Sequence, residues 1–217
     1  MAILAEHPEP RVAVDVGCGT GAYLPPLSSV ANHVIGVELA RSKARVAARR
    51  VPAGRVSIIV GSATTIPLRD FMCDLVLCSE VIEHFPDPDR VLAELVRIAK
   101  PRATVVVSTP VRYDPATWLR ALAGRRNEMS LRLHAPDQHG HYWYFAPREI
   151  EKRLGALHAD VIRFTVVPRL HFPGLPRLLR ARLASPAFLM ALGRSLPQRG
   201  AMGDLGAFGV FVIRRRQ

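Results

Sequence analysis

Two stretches of this chain bring together residue types that can do chemistry. The first is Val14-Asp15-Val16-Gly17-Cys18-Gly19-Thr20-Gly21, a β-branched run that leads straight into alternate glycines. Glycines in that position let the backbone turn tightly and bring its amides against a ligand. The spacing is G-x-G-x-G rather than the G-x-G-x-x-G of dinucleotide folds, which argues against NAD or FAD. Glu38 closes a second β-rich run, where a carboxylate can accept both hydroxyls of a ribose. Gly61-Ser62-Ala63 follows a third such run, at the place for an adenine ring. The second stretch is Cys78-Ser79-Glu80-Val81-Ile82-Glu83-His84-Phe85. A helical turn beginning near Glu80 would put Glu80, Glu83 and His84 at i, i+3 and i+4, on one face. Two carboxylates and an imidazole suit proton transfer, with His84 as base or pocket wall. Further on, His139-Gly140-His141-Tyr142-Trp143-Tyr144-Phe145 offers another imidazole. His141, or His139 in its place, could complete a set of two oxygen and two nitrogen donors for Mg²⁺ or another divalent cation. The aromatics at 142–145 read as lid packing ahead of a base-stacking platform.

Such residues need a scaffold that gathers them, and the chain is large enough to supply one. Its 217 residues are 49% hydrophobic and 22% charged, the composition of one globular domain rather than a disordered or collagen-like chain. Cys18, Cys73 and Cys78 are odd in number and lack C-x-x-C spacing, so a disulfide-stapled scaffold is excluded and a reducing compartment expected. No apolar run reaches the roughly 18–20 residues of a membrane span. Residues 1–10 lack the basic start and apolar stretch of a secretion signal, which makes the cytoplasm the expected location.

Strand-like runs at 11–16, 33–37, 56–60, 74–78 and 104–108 alternate with helical segments near 25–30, 40–50 and 88–99. Nearly all-apolar strands alternating with helices predict a parallel sheet covered on both faces. Asp87-Pro88 reads as a helix start with Asp as cap, and Lys100-Pro101 as its end. A helix at 147–157 and strands at 161–167 and 208–213 follow. One domain over 1–217 is expected. It comprises a ligand-binding half at 11–110, a lid insertion at 111–145, and a C-terminal half at 146–217 with a basic insertion at 168–203.

Taken in order, the glycine turn, Glu38 and the 61–63 segment resemble the class I S-adenosylmethionine-dependent methyltransferases over about residues 11–167. The resemblance implies an α/β, Rossmann-like, seven-stranded mostly parallel sheet with helices on both faces and an antiparallel last strand. It implies that Asp15 holds the methionine ammonium, that Gly17, Cys18, Gly19 and Gly21 shape the methionine and ribose pocket, and that Glu38 binds the ribose diol. Ser62 stands where many members carry Asp beside the adenine, and Ala63 and Ser79 join the cofactor-binding set. Two features depart from the family. Only about ten residues precede the first strand, and Pro101-Arg102-Ala103 replaces the usual Pro-Gly-Gly turn.

After strand four the sequence is similar to two branches of that family. Small-RNA 3′-terminal 2′-O-methyltransferases carry Glu-x-x-Glu-His and a later His that bind a metal. Polyprenyl catechol O-methyltransferases of ubiquinone synthesis carry a similar Glu-His. On either likeness Glu80, Glu83, His84 and His141 are the matching positions. The implied reaction is methylation of an oxygen on a small-molecule, lipid-like or glycan-like acceptor, with an RNA ribose as alternative. A catalytically silent S-adenosylmethionine-binding scaffold is the other class.

Charge adds a separate expectation. The net charge is +12, yet residues 1–110 hold 12 basic and 11 acidic side chains while 111–217 hold 18 and 7. A basic second half suggests anionic partners: an anionic or lipid-linked acceptor, an acidic membrane surface touched through 168–203, or, less favoured, nucleic acid.

Overall fold

A computed structural model describes residues 10–51, 54–111, 131–167 and 208–216. Each β-branched run forms a strand: β1 (Val12–Val16), β2 (His33–Glu38), β3 (Val56–Val60), β4 (Cys73–Ser79) and β5 (Ala99–Pro110). Between them lie α1 (Leu24–Ser28), α2 (Arg41–Arg50) and α3 (Pro88–Ile98). A short antiparallel pair, β6 (Leu131–Arg132) and β7 (Trp143–Tyr144), precedes α4 (Pro147–Ala156), β8 (Ala159–Val167) and β9 (Phe208–Arg215).

The strands assemble into one seven-stranded sheet in the order β3-β2-β1-β4-β5-β9-β8. Strands β1 to β5 pair in parallel, and β9 runs antiparallel between β5 and β8, as expected from sequence. Strand order reverses between β1 and β4, so a crevice opens at their carboxyl ends, where ligands bind in such sheets.

Alternation along the strands divides the core. Val14, Val16, Val76, Cys78, Val105 and Val107 face α3 and α4 and pack with Leu92, Leu95, Ile150 and Leu154. Ala13, Val34 and Leu75 face the other way and pack with Leu24, Leu27 and Ala47 of α1 and α2. Leu92 and Ile98 are fully buried; truncating such a side chain to alanine costs about 2–5 kcal/mol.

Two local readings differ from the structure. Asp87 holds the cap position of α3 but makes no side-chain cap bond; its carboxylate pairs with Arg90 at 3.2 Å instead. Strand β5 begins at Ala99 rather than 104, because Ala99 pairs with Cys73 before a bulge. Within it Arg102 takes φ +65°, the left-handed conformation that a glycine of the usual turn would supply. Residues 112–130 of the lid insertion at 111–145 and the whole basic insertion at 168–203 are outside the described residues.

Candidate functional site

The crevice is bounded on one side by the loop after β1. Asp15 lies on the α1–α2 face of β1, is 1% exposed, and leaves Oδ2 without a hydrogen-bond partner among the described residues. Burial, reinforced by the charge of Glu38, pushes its pKa up to about 7. Glu38 accepts the Gly19 amide at Oε2 (2.9 Å) and the Ala40 amide at Oε1 (2.8 Å). The Gly17 and Cys18 amides donate to the Val37 carbonyl at 2.8 and 3.1 Å, which drapes the loop over the ends of β1 and β2. Gly17 has φ +75°, and a Cβ there would stand 2.4 Å from Val81 Cγ2. Gly19 has no heavy atom within 4 Å of its would-be Cβ, so space for a ligand begins here.

The remaining predicted cofactor residues divide. Cys18 is buried; burial first, then Asp15 and Glu38, push its thiol up to about 12, so it packs rather than reacts. Ser62 spends its hydroxyl within its own turn, bonded to Thr64 Oγ1 (2.8 Å) and accepting the Thr64 amide (3.2 Å). Ala63 points into the main core and offers a ligand only its backbone. Leu39, to which sequence reading gave no part, is 65% exposed immediately after Glu38.

At the ends of β4 and β5 the expected three-residue face does not form. The chain after Ser79 makes a 3₁₀ turn over Ile82–His84, and Glu80 itself is left-handed at φ +56°. Two adjacent hydroxyls of β5 explain the divergence. Ser108 and Thr109 project to opposite faces of the strand. Ser108 Oγ donates to Glu80 Oε1 at 2.9 Å, and Thr109 Oγ1 donates to Glu83 Oε2 at 3.1 Å. Because the single Ser108 proton goes to a carboxylate, Ser79 must donate to Ser108 across their 2.8 Å contact. Glu80 therefore sits with Ser79 and Ser108 and lies outside the grouping that Glu83 enters.

That grouping is Glu83, His84 and His141, with one donor atom from each within 4.8 Å of the others. Glu83 is fully buried and its Oε1 has no hydrogen-bond partner among the described residues. Burial pushes its pKa up to about 7 despite hydrogen bonds from its own amide and Thr109. His84 Nδ1 lies 3.0 Å from the Gly140 carbonyl. A carbonyl only accepts, so Nδ1 carries the proton and Nε2 presents its lone pair. His139 is exposed, bonds Gln138 at 3.3 Å and stays outside the group, which leaves His141 as the imidazole from this loop.

The loop bearing His141 is tied down firmly. The Tyr142 amide donates to the Glu83 carbonyl at 2.8 Å. Asp137 Oδ1 accepts the amides of His139 (2.8 Å) and His141 (2.9 Å), and Oδ2 accepts the Tyr144 hydroxyl at 2.5 Å. Burial alone would raise the Asp137 pKa; the Tyr144 hydroxyl and the two amides outweigh it and hold the carboxyl at about 2. Trp143 is buried, stacks on Phe145 at 5.5 Å, and has the guanidinium carbons of Arg132 and Arg153 at 5.3 and 5.0 Å from its ring.

With this geometry in place, the chain can be set beside known proteins. The sequence pattern of a methyltransferase domain family matches residues 14–107. The chain is 30% identical over 160 residues to a ubiquinone biosynthesis O-methyltransferase of Hahella chejuensis, covering 72% of this chain and 66% of that one. A ubiquinone biosynthesis O-methyltransferase of Methylococcus capsulatus is 31% identical over 145 residues, 65% of this chain and 60% of the relative. The chain thus spans somewhat less than two thirds of the length of these relatives. Among solved structures, an S-adenosylmethionine-dependent methyltransferase of Thermotoga maritima superposes with TM-score 0.65 at 22% identity, covering 99% of this chain and 86% of that one. One from Methanosarcina mazei gives TM-score 0.63 at 18% identity, covering 99% and 96%. At these identities the superpositions establish the fold. Among the described residues no helix is long and apolar enough to cross a membrane.

Proposed function

The chain belongs to the class I S-adenosylmethionine-dependent methyltransferase family, and on that premise we propose that it transfers the sulfonium methyl group to an oxygen of a small-molecule, lipid-like or glycan-like acceptor. The cofactor side has the chemistry this needs. Asp15 offers an enclosed carboxylate oxygen, unpartnered among the described residues, to a cationic amine, Glu38 offers two oxygens to a ribose diol, and Gly19 leaves the space open. In the transfer the acceptor oxygen attacks the methyl carbon, the C–S bond breaks with its electron pair going to sulfur, and the acceptor gives up its proton. The chain's contribution is in-line placement and a means of removing that proton.

One observation carries the choice of oxygen: Glu83 is fully buried with Oε1 lacking a partner among the described residues, and a donor atom of its carboxylate lies within 4.8 Å of donor atoms of His84 and His141. Enclosing a carboxylate this way is costly unless something cationic or a proton meets it. Glu83, His84 and His141 fit a divalent cation by donor type, with His84 Nε2 already freed by its bond to Gly140. Such a cation, when bound, supplies positive charge that lowers the pKa of a nearby hydroxyl. The names of the Hahella and Methylococcus relatives, both O-methyltransferases, support the same choice.

The test pairs calorimetry with turnover. The protein should bind S-adenosylmethionine and S-adenosylhomocysteine. It should methylate a catechol probe, and EDTA should stop that reaction. Glu83→Gln and His84→Ala should each abolish turnover and leave S-adenosylhomocysteine affinity unchanged. Activity that survives EDTA but not His84→Ala makes His84 Nε2 the base and removes the cation. Turnover that survives both substitutions removes oxygen chemistry at this group.

A further inference from the structure

The group of three is assembled from two independent pieces of chain. Glu83 and His84 come from the 3₁₀ turn after β4, whereas His141 comes from the irregular loop between β6 and β7. A loop does not by its nature hold a side chain to the few tenths of an ångström that a donor set requires. Something must fix it, and the structure shows one residue on which the fixing converges.

We propose that Asp137 is a positioning residue for this group, acting through His141; the inference rests on the cation reading of the site. Its carboxylate uses both oxygens. Oδ1 gathers the amides of His139 and His141 and so sets the direction in which the chain passes through position 141. Oδ2 takes the Tyr144 hydroxyl and stands 3.8 Å from His141 Nδ1. A negative charge beside Nδ1 favours the tautomer protonated there, which leaves Nε2 as the donor atom. The same loop performs the matching operation on His84 through the Gly140 carbonyl. Gly140 has φ +81°, and even a Cβ there would stand only 3.4 Å from His84 Nδ1. One short segment thus orients both imidazoles, and Asp137 closes it. A turn that served the backbone alone would need one oxygen of that carboxylate. The second oxygen, committed to Tyr144 beside the His141 ring, ties the loop to the side chain that donates.

Co²⁺ provides a probe that does not depend on turnover, read from its visible absorption as it is titrated into the full chain. The native protein should bind Co²⁺. Asp137→Asn keeps the size and loses the charge, and should weaken Co²⁺ binding by about 10–100-fold. Tyr144→Phe removes only the hydroxyl and should weaken it by less, with the same change in band shape. Unchanged affinity for S-adenosylhomocysteine in both variants shows the fold intact. Should Asp137→Asn fail to fold, Tyr144→Phe decides by itself. Native-like Co²⁺ affinity and spectrum in the folded variants overturn the role of Asp137 and leave the cation site standing. Absence of Co²⁺ binding by the native chain overturns the cation reading, and this inference with it.

Discussion

At the end of β1 the chain offers backbone to the proposed cofactor, and at the end of β4 it offers side chains to the proposed cation. The first region is a loop whose shape follows from its glycines and from two amides held by Val37, with Glu38 bracing the amides of Gly19 and Ala40. The second depends on which hydroxyl of β5 reaches which carboxylate and on a distant loop that delivers His141. A backbone site is local and tolerates change in the rest of the molecule. A side-chain site is as precise as the contacts that orient it.

The two regions nevertheless share one close contact, and breaking it should give the largest effect. Gly17→Ala places a Cβ 2.4 Å from Val81 Cγ2 at a left-handed φ. Val81 stands between Glu80 and Glu83 in the chain. The substitution should cost about 3 kcal/mol in denaturant unfolding, by strain plus overpacking. It should abolish S-adenosylmethionine binding and turnover together. Loss of S-adenosylmethionine binding with Co²⁺ affinity unchanged would show the two regions to be mechanically separate.

Titration separates them next. The pKa values of Asp15 and Glu83 are both raised by burial, to about 7, from ordinary values of 3.8 and 4.5. Between those limits the folded chain holds more protons than the unfolded one, so stability is greatest at low pH and falls as pH rises towards 7. Each group contributes on the order of 3–4 kcal/mol to that fall. The ligand-free protein should therefore melt lower at pH 8 than at pH 5. A cationic ligand at Asp15 should recover its share, and Co²⁺ at Glu83 the other. Asp15→Asn and Glu83→Gln should each flatten the pH profile and abolish the matching recovery. A melting temperature independent of pH would contradict the enclosure of both groups.

The contrast also explains what sequence could foretell. The positions of the seven strands and the glycine turn follow from runs of β-branched residues and from spacing, which are local properties, whereas the antiparallel β9 and the part expected of Asp15 come from the family resemblance. Glu80 misled because its helical periodicity was assumed. Its partner Ser108 lies 28 residues away and draws it to the face opposite Glu83, with a left-handed backbone as the result. The choice of His141 over His139 was equally illegible, since it turns on the Asp137 and Gly140 geometry of a loop without periodicity.

A finer cut uses the two neighbouring hydroxyls. Thr109→Val leaves Glu83 Oε2 enclosed without its donor, which should cost about 1–3 kcal/mol and lower kcat. Ser108→Ala dismantles the Ser79–Ser108–Glu80 chain on the other face. It should disturb the KM for S-adenosylmethionine while leaving Co²⁺ affinity unchanged. If both substitutions changed kcat and KM in the same proportion, the assignment of the two faces to separate tasks would be wrong.

The smallest expected effect lies away from both regions and calibrates them. Arg102 is left-handed at φ +65° in the opening of β5, the strand that carries Ser108 and Thr109 at its other end. Glycine adopts that conformation without the steric cost, though it is freer when unfolded. Arg102→Gly should therefore stabilise the chain by about 0.5–1 kcal/mol, read as a higher denaturant midpoint. Because the strand's near end is relaxed and its far end untouched, turnover and both ligand affinities should not move. A fall in turnover with this substitution would show that strain at the start of β5 reaches the two hydroxyls. The side-chain half of the site would then depend on the strand as a whole as well as on the contacts at its tip.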